Sequence, residues 1–162
     1  MDQQFRDEHS YTNAKPGGWA WTNLPGGVPD ADDTAGALLA LFKLRSGEVD
    51  FREAASAGLG WLVQLQNSDG GIPTFCRGWG ALPFDRSGAD LTAHAIRAWL
   101  AWRPHVELRL QRKLQKAINR AIQFLSKNQR PDLSWVPLWF GNEHVSSEEN
   151  LTYGTSRVLL AL

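Results

Sequence analysis

The pattern Trp61-Leu62-x-x-x-Gln66-x-x-Asp69-Gly70-Gly71 returns as Phe124-Leu125-x-x-x-Gln129-x-x-Asp132-Leu133-Ser134-Trp135, with the aromatic, the Gln and the Asp each displaced by 63 residues. A second signal follows each copy at the same offset: Thr92 in Asp90-Leu91-Thr92-Ala93-His94 and Thr155 in Tyr153-Gly154-Thr155-Ser156. Gly17-Gly18-Trp19 followed by Asp32-Asp33-Thr34-Ala35 reads as the tail of an earlier copy. Each unit of such an array buries its apolar face only by stacking on its neighbours. The fold is thereby restricted to an open or closed stack of similar units.

Each unit reads as helix, Gly/Trp loop, helix. Ala31 to Leu44 carries apolar positions at helical spacing after an acidic cap, and Arg52 to Gln66 forms the next helix, stopped by Ser68-Asp69-Gly70-Gly71. Leu91 to Trp102 is a third helix ending before Pro104, Val106 to Lys127 a long fourth, and a fifth begins near Tyr153 and is still apolar at Leu162. No segment alternates with period two. The expected fold is all-α, about five helices of an α/α barrel or solenoid in which one set lines the inside and the next wraps outside. Residues 1–162 read as a single partial toroid domain. An array running from mid-repeat to mid-repeat is expected to be a fragment of a larger protein.

Lys+Arg 17 balances Asp+Glu 17, so net charge points to neither nucleic acid nor an anionic surface as partner. The single Cys76 excludes an intramolecular disulfide, and Cys and His are too few for a four-ligand zinc site. No apolar stretch approaches the ~20 residues of a transmembrane helix, and the polar start Met1-Asp2-Gln3-Gln4 does not read as a signal peptide. Peripheral membrane contact is compatible with both facts. Eight Trp against two Tyr, with many aromatics at helix ends, differ from a plain bundle of Leu stripes.

Chemistry concentrates in Pro29-Asp30-Ala31-Asp32-Asp33-Thr34-Ala35, three carboxylates in four residues between a Gly/Pro-rich loop and an apolar run. Carboxyls this close cannot all ionise at low cost, so the last proton among them is held above the ~3.9 of an isolated Asp. Helix capping is the competing explanation, and the helix dipole opposes an acid role by lowering a carboxyl pKa. Capping uses one acceptor or two, which leaves at least one of Asp30, Asp32 and Asp33 for a proton donor or a hard divalent cation.

Together, the Asp30-Ala31-Asp32-Asp33-Thr34-Ala35 stretch and the repeated Gln-x-x-Asp pattern make the chain resemble the squalene-hopene cyclase family, relatives of oxidosqualene cyclases and class II diterpene cyclases. Lys15-Pro16-Gly17-Gly18-Trp19-Ala20-Trp21 resembles the approach to that family's acid motif, and Asp90-Leu91-Thr92-Ala93-His94 its later Asp-Val-Thr-Ala-His. Trp135-Val136-Pro137-Leu138-Trp139-Phe140-Gly141-Asn142 with Tyr153-Gly154-Thr155 resembles its segment ending in Tyr-Gly-Thr, so nearly the whole chain is covered in the family's order. The resemblance implies an isomerase that starts polyene cyclisation by protonating a terminal alkene. The implied substrate is a squalene-like polyprenyl hydrocarbon, with no cofactor and no metal. The implied location is cytoplasmic or peripheral to the membrane, and the oligomeric state stays open.

By the same resemblance Asp32 matches the proton donor, Asp30 and Asp33 the flanking carboxylates that tune it, His94 a histidine paired with one of them, and Asp90 an acidic neighbour. Trp139 and Tyr153 match aromatics near the cavity, and Phe75 an aromatic after the Gly-Gly element. Ring faces suit a moving carbocation that any nucleophile would quench. Without the family, His94 and each single aromatic read first as core residues, and Trp61, Trp99, Trp102 and Trp135 as structural.

Three departures stand out: Ile72 where a Gln-Trp repeat has Trp, Leu133-Ser134 for Gly-Ser, and an insertion Glu143–Glu149 between Trp139 and Tyr153. Family members span about four times this length in two domains, so the isolated chain is expected to be inactive. The alternatives are a non-catalytic α/α toroid, as a binding or relic module, and a prenyltransferase-like zinc toroid that Cys76 and His94 support poorly.

Overall fold

The computed structural model describes residues 3–9, 13–46, 49–78 and 80–162, so Met1 and Asp2 of the polar start lie outside it. Among the described residues there are five α-helices, α1 (Ala31–Leu44), α2 (Arg52–Leu65), α3 (Ala89–Trp102), α4 (Leu108–Lys127) and α5 (Leu151–Leu159), with a short 3-10 helix at Arg103–His105. No strand forms among them. Extended pairing is confined to isolated bridges joining Gln4 to Trp19, Trp19 to Asp30 and Ile72 to Gly88.

α3 packs against α1 and α5 as well as against α2 and α4, while α1 touches α2 and α2 touches α4. The result is an inner row of α1, α3 and α5 backed by an outer row of α2 and α4, an arc of an α/α toroid. α3 is the middle inner helix and is buried nearly all round, from Ala89 through Ile96 and again at Ala98, Trp99 and Trp102. Outer α4 buries one stripe, Leu114, Ala117, Ile118, Ala121, Phe124 and Leu125, at helical spacing, while Arg112, Lys113 and Lys116 face solvent. No described helix is long and apolar enough to cross a membrane.

The repeat is held by the same hydrogen bonds in successive copies. Thr34 Oγ1 accepts from the Trp19 N–H at 2.9 Å, Thr92 Oγ1 from Ile72 at 2.9 Å and Thr155 Oγ1 from Trp135 at 3.1 Å. Each inner helix thus ties down the loop that leads into it. Ile72 occupies the place of Trp19 and Trp135 and is fully buried there, so an aliphatic side chain fills that site. At the outer helix ends Gln66 Nε2 donates to Gly70 O at 2.9 Å and Gln129 Nε2 to Leu133 O at 3.1 Å. Gln66 Nε2 also lies 2.9 Å from Ala117 O, which joins the end of α2 to α4. Trp61, Trp99, Trp102 and Trp135 are buried, and two of their indole N–H groups donate to backbone, Trp102 to Leu38 O at 2.7 Å and Trp135 to Leu125 O at 2.8 Å.

Helix limits depart from the sequence reading where capping decides them. α3 starts at Ala89 rather than Leu91 because Gly88 is extended and caps it, placing Asp90 in the first turn. α4 starts at Leu108 rather than Val106 because Val106 is extended after the 3-10 turn and Glu107 is the cap. α5 starts at Leu151, where the Asn150 side chain accepts from Tyr153 N–H. The insertion closes on itself, with Asn142 N–H donating to Glu148 O at 2.8 Å and Asn150 Nδ2 to Gly141 O at 3.5 Å. Its two ends return together, which leaves Phe140 4.7 Å from the Tyr153 ring.

Candidate active site

Asp30 is extended (φ −133, ψ 168) and caps α1, its Oδ1 accepting from Asp33 N–H at 2.8 Å. Capping therefore uses Asp30 and leaves Asp32 and Asp33 in the first turn. Asp30 is only 6% exposed, and burial, with a side-chain hydrogen bond to Asp33 next in weight, pushes its carboxyl up to about 8. The shift runs toward the protonated form, against the helix dipole.

Asp32 has the opposite electrostatics. Its Oδ1 lies 2.6 Å from His94 Nδ1, and that bond, outweighing partial burial, holds the Asp32 carboxyl below its ordinary range. With Asp32 ionised, Nδ1 is the ring nitrogen that carries hydrogen and donates, and the separation is at the short limit of a charge-assisted bond. The contact joins residues 62 apart in sequence, across the packed inner helices α1 and α3. His94 is buried, whereas Asp32 is 42% exposed in its side chain. Two neighbouring carboxyls are thus pushed apart, one holding a proton and one a strong acid.

Asp90 sits one turn before His94 on α3, 2% exposed, and Oδ1 accepts from Leu138 N–H at 3.1 Å while Oδ2 is buried without a hydrogen-bond partner. Burial raises its pKa. Tyr153 packs on Phe140, and its phenol is pushed up by burial, with Asp32 and Asp90 among the charges acting on it. Trp139 is half-exposed, and Nε1 donates to Thr74 Oγ1 at 2.7 Å. Thr74 O in turn accepts from Ala31 N–H at 2.9 Å, so a two-bond link ties the Trp139 indole to the start of α1. Phe75 lies elsewhere: it meets Trp21 edge-on at 6.4 Å and lines a cavity of about 220 Å³ with Trp61, Leu65 and Cys76, in which none of the carboxylates takes part.

Two members escaped the sequence reading. Thr74 is the anchor of Trp139, and no motif marks it. Arg157, on α5, brings Nη2 to 3.6 Å from Asp32 Oδ1 and 3.2 Å from His94 Nδ1. The signal for Arg157 was present, since it stands 63 residues after His94 in the register that relates Thr92 to Thr155. Among the described residues no three His, Cys, Asp or Glu side chains are grouped to hold a metal ion. The arrangement can hold a proton on one buried carboxyl and present a second, cation-backed carboxyl to a neighbouring reactant.

A family model described as the squalene-hopene cyclase C-terminal domain matches residues 6–162. The squalene–hopene cyclase of Alicyclobacillus acidocaldarius is 32% identical over 93% of the chain, which covers 24% of that protein. The squalene–hopene cyclase of Bradyrhizobium diazoefficiens is 29% identical over 93% of the chain, covering 23% of its length. The sporulenol synthase of Bacillus subtilis is 30% identical over 78% of the chain, covering 20% of its length. The chain spans about a quarter or less of the length of these relatives.

Proposed function

The chain belongs to the squalene-hopene cyclase C-terminal domain family, and on that footing we propose that it is the acid-bearing part of a larger two-domain triterpene cyclase acting on a squalene-like polyprenyl hydrocarbon. The observation that carries this reading is the 2.6 Å contact between Asp32 and His94. A helix cap would need neither the histidine nor the second and third carboxylates.

In the proposed reaction Asp32, loaded with a proton from solvent through its exposed side, gives that proton to a terminal alkene. The π pair forms the new C–H bond, the O–H bond breaks, and the tertiary carbon left behind carries the positive charge into ring closure. The Asp32 carboxylate formed at that moment is stabilised by His94 Nδ1–H. A carboxyl whose anion is stabilised in advance is the stronger acid, which is what protonation of a weakly basic alkene requires. Asp30, pushed up to about 8 by burial, and Asp33 are the flanking carboxyls that tune Asp32. Trp139 and Tyr153 offer ring faces to the cation, and Asp90 acts as an acidic neighbour on α3. Phe75 lines a cavity apart from the carboxylates and is assigned no part in the proton transfer.

The test is a chimaera in which this chain replaces the corresponding segment of the Alicyclobacillus acidocaldarius cyclase. Cyclised triterpene from squalene is expected from the chimaera and none from the isolated chain. A folded chimaera that binds squalene and leaves it linear would contradict the reading and favour a non-catalytic toroid.

A further inference from the structure

Asp32 is approached by two nitrogen donors. One is His94. The other is Arg157, whose guanidinium comes from α5, is 24% exposed and stacks over the Tyr153 ring at 5.6 Å. Arg157 Nη2 is nearer to His94 Nδ1, at 3.2 Å, than to Asp32 Oδ1, at 3.6 Å. Because Nδ1 already donates to Asp32, it has no lone pair in that direction for an arginine N–H. The Arg157–His94 approach is therefore a crowding of two donors around one carboxylate oxygen, and it needs a reason.

The repeat supplies the geometry. Gly36, His94 and Arg157 each stand two residues after the threonine that ties down a loop, Thr34, Thr92 and Thr155. Adjacent inner helices therefore present these positions side by side, and a β-carbon built on Gly36 would lie 3.8 Å from His94 Cε1. The first helix contributes no side chain there, the second an imidazole and the third a guanidinium.

We propose that Arg157 is a positioning residue of the acid centre, a permanent cation that shares the Asp32 carboxylate with His94. The proposal deepens the acid-centre reading and rests on it for its meaning in the reaction. The other groups around the pair are Asp30 and Asp33 on α1, Asp90 on α3 and Tyr153 on α5. Arg157 is among the charges that hold the Asp32 carboxyl below its ordinary range, and its own charge does not change with pH. The carboxylate left after proton transfer thus keeps a counter-ion whether His94 is charged or neutral.

The experiment is an NMR pH titration of the Asp32 carboxyl carbon in the 162-residue chain, assigned with Asp32→Asn. It compares wild type with Arg157→Gln, Arg157→Met and Arg157→Lys, each checked for folding by circular dichroism. Either charge-removing variant should move the Asp32 midpoint upward, toward the ordinary carboxylate range, and Arg157→Lys should hold it near wild type. Two independent removals keep the test alive if one variant fails to fold. An unmoved midpoint in a folded charge-removing variant would overturn the proposal, as would a lysine variant that titrates like the glutamine one. No turnover is read, so failure of the chimaera to cyclise squalene is a separate result that bears on the cyclase reading alone.

Discussion

Leu133 occupies the backbone conformation that Gly70 takes one repeat earlier, with φ of 66° against 95°. Both carbonyls accept from the glutamine four residues before them, Gln66 and Gln129, so the turn is the same and only its residue differs. A left-handed conformation costs a branched L-residue ~1–2 kcal/mol, and Leu133 is 69% exposed, leaving little packing to offset it. Replacing Leu133 by Gly should stabilise the chain by ~0.5–1 kcal/mol after the extra chain entropy of glycine is subtracted. Thermal unfolding should show a midpoint higher by a few degrees. An unchanged or lower midpoint would mean the turn carries no such strain.

Asp30 gives the fold a pH signature. Its pKa is raised on folding to about 8, so its contribution is fully present below the unfolded value, near 4, and is lost as pH climbs toward 8. Asp32, lowered by His94, has the opposite sign: its contribution is present above the unfolded value and lost as pH falls through the folded one. Asp30→Asn keeps an N-cap acceptor for Asp33 N–H and removes the titration. Urea midpoints at pH 5 and pH 8 should converge in the variant, which should exceed wild type at pH 8 by on the order of 1–3 kcal/mol. Equal pH dependence in both proteins would show that Asp30 ionises normally.

Trp139 is tethered through Thr74 to the start of α1, so its ring is held by the same backbone that presents Asp32. In the chimaeric cyclase Trp139→Leu should remove one polarisable face, worth ~0.5–2 kcal/mol in a desolvated site. The expected result is turnover lower by about tenfold or less, with a changed product distribution. Unchanged rate and products would make Trp139 a packing residue.

Much of this was legible because repeats and caps are local or periodic. The 63-residue offset set the helix order, and the acid motif with Asp90-Leu91-Thr92-Ala93-His94 placed His94 near the carboxylates. What escaped depends on distances between elements. The start of α4 hinged on a 3-10 turn at Arg103–His105. The split between Asp30 and Asp32 required knowing that one is buried and the other faces His94. Arg157 stood in register with His94, yet only the packing of α5 on α3 brings a cation to Asp32. Thr74 carries no pattern at all, since its role comes from a loop folding over the start of α1.

The most direct measurement is cyclisation of squalene in D2O by the chimaera that carries this chain, comparing its wild-type form with Asp32→Asn. Asparagine keeps the size of Asp32 and an acceptor for His94 but has no transferable proton. Wild type should yield triterpene with one deuterium at the carbon protonated first, and Asp32→Asn should lose three or more orders of magnitude in rate, about 4 kcal/mol or more of barrier, with its fold unchanged. Near-normal turnover and labelling by a folded Asp32→Asn enzyme would contradict the assignment of Asp32 as the acid, and the three carboxylates would reduce to a helix cap with a histidine beside it.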